Sequence, residues 1–73
     1  MPKLPVLSGS DVVKALTRIG FSIDHQTGSH MILRKENPAL TVSVPNHKEL
    51  KTGTLRSIIK QARLTIDEFT RLL

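Results

Sequence analysis

No cysteine, tryptophan or tyrosine occurs in this chain, and Phe21 and Phe69 are its only aromatics. The lack of cysteine excludes disulfide staples and thiolate metal sites, and it fits a reducing compartment. Both phenylalanines sit at core-like positions, so base stacking on aromatic side chains is not expected. No apolar run approaches the roughly 20 residues that span a bilayer, so no membrane role is expected. Acids are also scarce: 6 Asp and Glu stand against 11 Lys and Arg, for a net charge of +5. The acids Asp11, Asp24, Glu36, Glu49, Asp67 and Glu68 are scattered, which argues against hydrolysis by paired carboxylates.

What is present is positive charge on a short chain. A pI near 10.3 favours a polyanionic or strongly acidic partner and says nothing about fold. The 73 residues make one domain, 1–73. A domain of this size buries only about 60–65% of the surface its unfolded chain exposes. Its core leaves little room for a deep pocket, and a shallow site on an extended polymer suits it better than one enclosing a metabolite. Met1 to Ser8 holds two prolines and no long apolar run, so it does not read as a signal peptide, and the cytoplasm is the expected location.

Pro2 and Pro5 keep the first residues extended. Ser8 stands three residues before Asp11 as a capping box, and Val12, Val13, Leu16 and Ile19 follow at helical spacing over 9–19, stopped by Gly20. Phe21 to Gln26 alternates apolar and polar residues, the period of a half-buried strand. Thr27-Gly28 is a tight turn, Ser29 to Lys35 a second strand, and Glu36 to Ala39 a loop. Leu40, Val42 and Val44 form a third strand that Pro45 ends. After a linking loop, Leu55, Ile58, Ile59 and Ala62 mark a helix over 53–62, with Arg56, Lys60 and Arg63 as a basic stripe beside its apolar face. Thr65 and Glu68 form another capping box, opening a helix over 66–72 with Ile66, Phe69, Leu72 and Leu73 inward. The order α-β-β-β-α-α implies an α+β fold: a three-stranded antiparallel sheet covered by helices on one face. That is the layout of the double-stranded-RNA-binding domain.

Three histidines can move protons near neutral pH: His25, His30 and His47. RNA cleavage needs a base for the 2′-hydroxyl, an acid for the leaving 5′-oxygen and positive charge at the phosphate. His30 follows Gly28 and Ser29, small residues that let a phosphate approach the backbone. His25 precedes the turn with no distinguishing context and reads as an ordinary strand histidine. His47 lies in the loop Pro45-Asn46-His47-Lys48, where function often resides. No two histidines have metal-ligand spacing, and Asp24 is the one acid near them, so neither metal nor cofactor is expected. Gly53 and Thr54 begin a helix whose free N–H groups favour phosphate, and Lys48, Lys51 and Arg56 flank that start, with Lys60 further along the basic stripe as another phosphate-binding candidate.

The ordered set Gly20-Phe21, Gly28-Ser29-His30, Val44-Pro45-Asn46-His47, Glu49-Leu50-Lys51, Gly53-Thr54-Leu55-Arg56 and Ile59-Lys60-Gln61-Ala62 resembles the HicA toxin family, from Leu7 to about Asp67. The resemblance implies a type II toxin–antitoxin system. Its toxin is an mRNA interferase with the double-stranded-RNA-binding-domain fold, cleaving mRNA without a ribosome and neutralised by a HicB antitoxin. It also implies that His30, the histidine of the Gly-Ser-His motif, is catalytic. The Val-Pro-x-His histidine corresponds to His47, as a possible second site residue. Where the family has glycine after Lys-Gln-Ala this chain has Arg63, a departure that bears on the helix stop. A non-catalytic RNA-binding module of the same fold remains the alternative. A third reading is an interaction domain whose basic face docks only an acidic antitoxin.

Overall fold

The helices start and stop where local hydrogen bonding dictates. In the computed structural model, which describes residues 4–73, the first helix α1 runs Gly9–Thr17. Pro2 lies outside the described residues. The Ser8 N–H donates to the Asp11 carboxylate and the Asp11 N–H to the Ser8 hydroxyl oxygen, both at 3.0 Å. Thr65 and Glu68 repeat the device at 2.9 and 3.0 Å to open α3, Ile66–Thr70. Between them lie β1 (Ser22–Thr27), β2 (His30–Lys35), β3 (Leu40–Pro45) and α2 (Thr52–Gln61).

The stops of α1 and α2 share one geometry. At the first, Gly20 takes φ +103°, its N–H donating to the Thr17 carbonyl and the Phe21 N–H to the Leu16 carbonyl. At the second, Arg63 takes φ +57°, its N–H donating to the Lys60 carbonyl and the Leu64 N–H to the Ile59 carbonyl. These paired bonds are the Schellman pattern. The arginine therefore leaves the stop intact, and its Cβ sits in a left-handed conformation that suits glycine better.

The strands form a meander in the order β1-β2-β3, antiparallel throughout. Met31 faces Val44 and Leu33 faces Val42 across the β2–β3 ladder, and all four are buried. They meet Val12 and Leu16 of α1, Leu55, Ile58 and Ile59 of α2, and Phe69 of α3 in one core. Both long helices thus cover the same face, and the other face of the sheet is open. Among the described residues no polar or charged side chain is buried.

Three expectations need correction. β1 is not half-buried: all six of its residues are exposed, including Ile23 at 53%. It is an edge strand, and the apolar anchor of the segment is Phe21, which precedes it and is buried. Leu73 does not point inward but stays half-exposed, because α3 ends at Thr70. The first helix also ends at Thr17, two residues earlier than its periodicity suggests, since the Gly20 turn begins there.

Gly9 is where the layers touch most closely. A Cβ at this position would overlap the Pro45 carbonyl oxygen and lie 3.3 Å from the Asn46 Cα. The bare glycine lets its N–H donate to the His47 carbonyl at 2.9 Å. Leu50 is tied in the same way, its N–H to the Leu7 carbonyl at 2.8 Å.

Four stability outcomes follow, each read by urea or thermal melting. Gly9→Ala is expected to cost about 1–3 kcal/mol as overpacking outweighs the gain in helix propensity. Gly53→Ala, whose Cβ meets open space, should be neutral or stabilising by up to about 1 kcal/mol. Equal effects at the two sites would show that the Pro45 loop yields freely. Arg63→Gly should stabilise by up to about 1 kcal/mol, since relief of roughly 1–2 kcal/mol of left-handed strain exceeds the added unfolded-state entropy. Finally, the Ser8 N–H and then its hydroxyl hold Asp11 below its ordinary carboxylate value, and the N–H and hydroxyl of Thr65 do the same for Glu68. A depressed folded-state pKa stabilises above the unfolded value and is lost as pH falls through the folded one. Stability should therefore decline as pH drops below about 4.5 and continue declining below 3.8. An Asp11→Asn/Glu68→Gln double variant should flatten that decline.

Candidate nucleic-acid interface

The turn that leads into His30 is built from two small residues. Thr27 pairs with His30, so Gly28 and Ser29 alone connect β1 to β2. Gly28 takes φ +54°, the sign a two-residue hairpin of type II′ requires at its first central position. Nothing lies within 4 Å of where its Cβ would be, so the turn is open to solvent.

His30 is therefore the first residue of the central strand, flanked by Thr27 on one side and Pro45 on the other. Met31 and Leu33 point into the core, so alternation sends His30, Ile32 and Arg34 to the open face. Past Pro45 the pairing continues, the Asn46 N–H donating to the Ser29 carbonyl at 2.6 Å. That bond joins the hairpin turn to the loop that Gly9 and Leu7 hold from below. The imidazole of His30 is thus exposed on a backbone fixed from both sides.

Beyond β3 lies α2. Its N-cap, Lys51, is extended and makes no side-chain capping bond, unlike Ser8 and Thr65. The first turn of α2 and the start of β2 open on a common cleft of about 420 Å³, lined by His30, Ser43, Pro45, Gly53, Thr54, Ser57, Ile58 and Gln61. No acid lines it. Gln61 accepts the Ser43 N–H at 3.2 Å and donates to the Ser57 hydroxyl at 3.3 Å. It covers the free edge of β3, which would otherwise offer an unpaired N–H to another strand.

Of the residues singled out from the sequence, the structure brings His30, Gly53 and Thr54 together. Gly28 and Ser29 form the adjoining turn. His47, Lys48 and Lys51 are exposed on the loop before α2, and Arg56 and Lys60 are exposed on α2 itself; none of the five lines the cleft. Ser43, Ser57 and Gln61 were not anticipated. Ser57 and Gln61 continue the Gly53–Thr54 stripe at helical spacing, but the strand that stripe faces is a tertiary fact.

A larger cavity of about 520 Å³ lies at the far end of the β1–β2 hairpin, lined by Ile19, Gly20, Ser22, Asp24, Arg34, Lys35 and Glu36. It holds charges of both signs and no histidine. Among the described residues no three His, Cys, Asp or Glu side chains are grouped to hold a metal ion, and no helix is long and apolar enough to cross a membrane.

No curated protein matches the chain. The family model of the HicA toxin of bacterial toxin–antitoxin systems matches residues 9–64. That span starts at the glycine packed on Pro45, takes in the whole sheet and the cleft, and ends at the stop of α2. It covers well over half of the 73 residues, and the chain belongs to the HicA toxin family.

Proposed function

We propose that this toxin is an mRNA endoribonuclease, acting in the cytoplasm on free mRNA without a resident metal, with His30 as a catalytic residue. Its substrate is single RNA chains and its natural restraint a HicB-type antitoxin. The supporting observation is the placement of His30: an exposed imidazole on the central strand, sharing an acid-free cleft with the uncapped first turn of α2.

The chemistry is transesterification. The 2′-oxygen attacks the adjacent phosphorus, the bond from phosphorus to the 5′-oxygen breaks, and a 2′,3′-cyclic phosphate is left. One proton leaves the 2′-hydroxyl and one is delivered to the 5′-oxygen, and His30 serves one of these transfers. The N–H groups of Thr52, Gly53 and Thr54 point out of the start of α2 and favour negative charge there. Lys48, Lys51 and Arg56 draw in the polyanion, and Lys60 extends the basic flank along α2. Both phenylalanines are buried, so binding leans on the sugar–phosphate chain rather than on stacked bases. His47 borders this surface on a loop anchored through its own carbonyl, as a possible second site residue.

Cleavage of RNA by the purified protein in EDTA is expected to leave cyclic phosphate ends. His30→Ala from the same preparation should cut about 10²–10⁴-fold more slowly while still binding RNA. A folded His30→Ala protein that cuts at the wild-type rate would overturn the assignment. Salt-dependent RNA binding by both proteins with cutting by neither would mark a binding module instead.

A further inference from the structure

Neighbouring residues of a regular strand point to opposite faces of the sheet. Asp24 and His25 nevertheless meet, with the Asp24 carboxylate 2.7 Å from His25 Nδ1. The cause is a bulge. Counting back from the Gly28–Ser29 turn, Thr27 pairs with His30, Gln26 with Met31 and His25 with Ile32. A regular ladder would then set Asp24 opposite Leu33 and aim its carboxylate at the core. Instead Ile23 takes the place opposite Leu33, and Asp24 is left without a partner. The extra residue swings Asp24 to the side of His25 and returns Ile23 to the apolar face.

The same register places His25 relative to His30. Both lie on the open face of the sheet, on adjacent strands, as diagonal neighbours with backbones about 7–8 Å apart. The pair is accessible, with the His25 and Asp24 side chains 53% and 44% exposed. The charged groups around His25 on that face are Asp24 on its own strand and His30 and Arg34 on β2, one diagonal on each side. The charges of α1 (Asp11, Lys14, Arg18) belong to the layer on the opposite face.

In-line displacement at phosphorus puts the attacking and leaving oxygens on opposite sides. A group within hydrogen-bond reach of one oxygen is poorly placed to serve the other, so a second proton-transfer group on the far side of the phosphate helps. His25 and His30, diagonal neighbours on the open face, can reach up on either side of one phosphate. We infer that His25, oriented by Asp24, is the general base of the cleavage proposed above, and that His30 is its acid. The Asp24 carboxylate accepts the Nδ1 proton of His25 and so leaves Nε2 as the free acceptor. Nε2 takes the proton of the 2′-hydroxyl as the 2′-oxygen bonds to phosphorus. His30 gives its proton to the 5′-oxygen as that bond breaks, and Asp24 stabilises the imidazolium formed on His25. Asp24 is thus a positioning residue, and Arg34 lies beside the pair as a fixed positive charge.

This inference rests on the ribonuclease reading, and the test separates the two. His25→Ala and His25→Gln change an exposed side chain and should melt and bind RNA like the wild type. Their kcat is expected to fall about 10²–10⁴-fold with KM within a few-fold. The rise of activity with pH that reports the base should disappear. Asp24→Asn should lose less activity, and Asp24→Glu should restore part of it, because the carboxylate acts by orienting the His25 ring. An RNA with sulfur in place of the bridging 5′-oxygen has a leaving group that needs no proton. On it His30→Ala should recover much of its rate and His25→Ala should not. Wild-type rates in both His25 variants, an unchanged pH profile, or recovery of His25→Ala on the sulfur substrate would each overturn the assignment. If even the wild type cuts no RNA, the ribonuclease reading itself is lost. If only His30→Ala is inactive, that reading stands and this one falls.

Discussion

A single two-residue turn decides the face on which each side chain of β2 lands. Gly28, at φ +54°, closes the hairpin so that Thr27 and His30 pair. From that pairing Met31 and Leu33 go to the core, and His30, Ile32 and Arg34 to the open side. A slip of one residue would exchange the two sets, exposing two core side chains and burying a histidine and an arginine. The buried apolar face and the exposed histidine are therefore one choice. The register that seals Leu33 against Val42 is the register that presents His30.

A core this small cannot also enclose a site. The buried side chains are all apolar and all committed to packing the helices onto one face of the sheet. The open face must hold its geometry by backbone ties instead. Three do so: Asn46 to Ser29, Gly9 to His47 and Leu50 to Leu7. They link the hairpin turn, the loop before α2 and the start of α1 into one support. A surface stiffened in this way suits a polymer passing across it, whereas a small substrate would find few walls.

Much of this was legible in the residues. Both capping boxes, the period of α1 and α2, the glycine stop and the meander depend on local chemistry, and the sequence carries that chemistry directly. β1 was misread because its alternation is interrupted by the bulge at Asp24 and because an edge strand gains no burial from being apolar on one side. The choice of His30 as the catalytic candidate came from a motif, since spacing alone does not distinguish it from any exposed strand histidine. Ser43, Ser57 and Gln61 were invisible because they meet only when α2 docks along the edge of β3. The pairing of Asp24 with His25 was hidden for a sharper reason: adjacent strand residues ought to face apart, and only a break in the ladder lets them touch.

Besides the left-handed helix stops at Gly20 and Arg63, three departures from regular structure lie on or against the open side of the sheet. α1 and α3 carry complete capping boxes, while α2, with a longer run than α3, begins uncapped at the cleft with His30. A side-chain cap is worth roughly 1 kcal/mol, and leaving it out keeps the N–H groups of that turn free. β2 and β3 pair without interruption, while β1 breaks its ladder where an acid can reach a histidine. The tightest backbone contact, Gly9 on Pro45, supports the loop that borders the same face. Each departure costs stability locally, and each lies on or against the open side of the sheet around His30. Conflict between local preference and observed structure is expected at a functional surface and is otherwise avoided. In this chain those departures border the outer face, from β1 across His30 to the start of α2, which is the face that carries the proposed cleavage site.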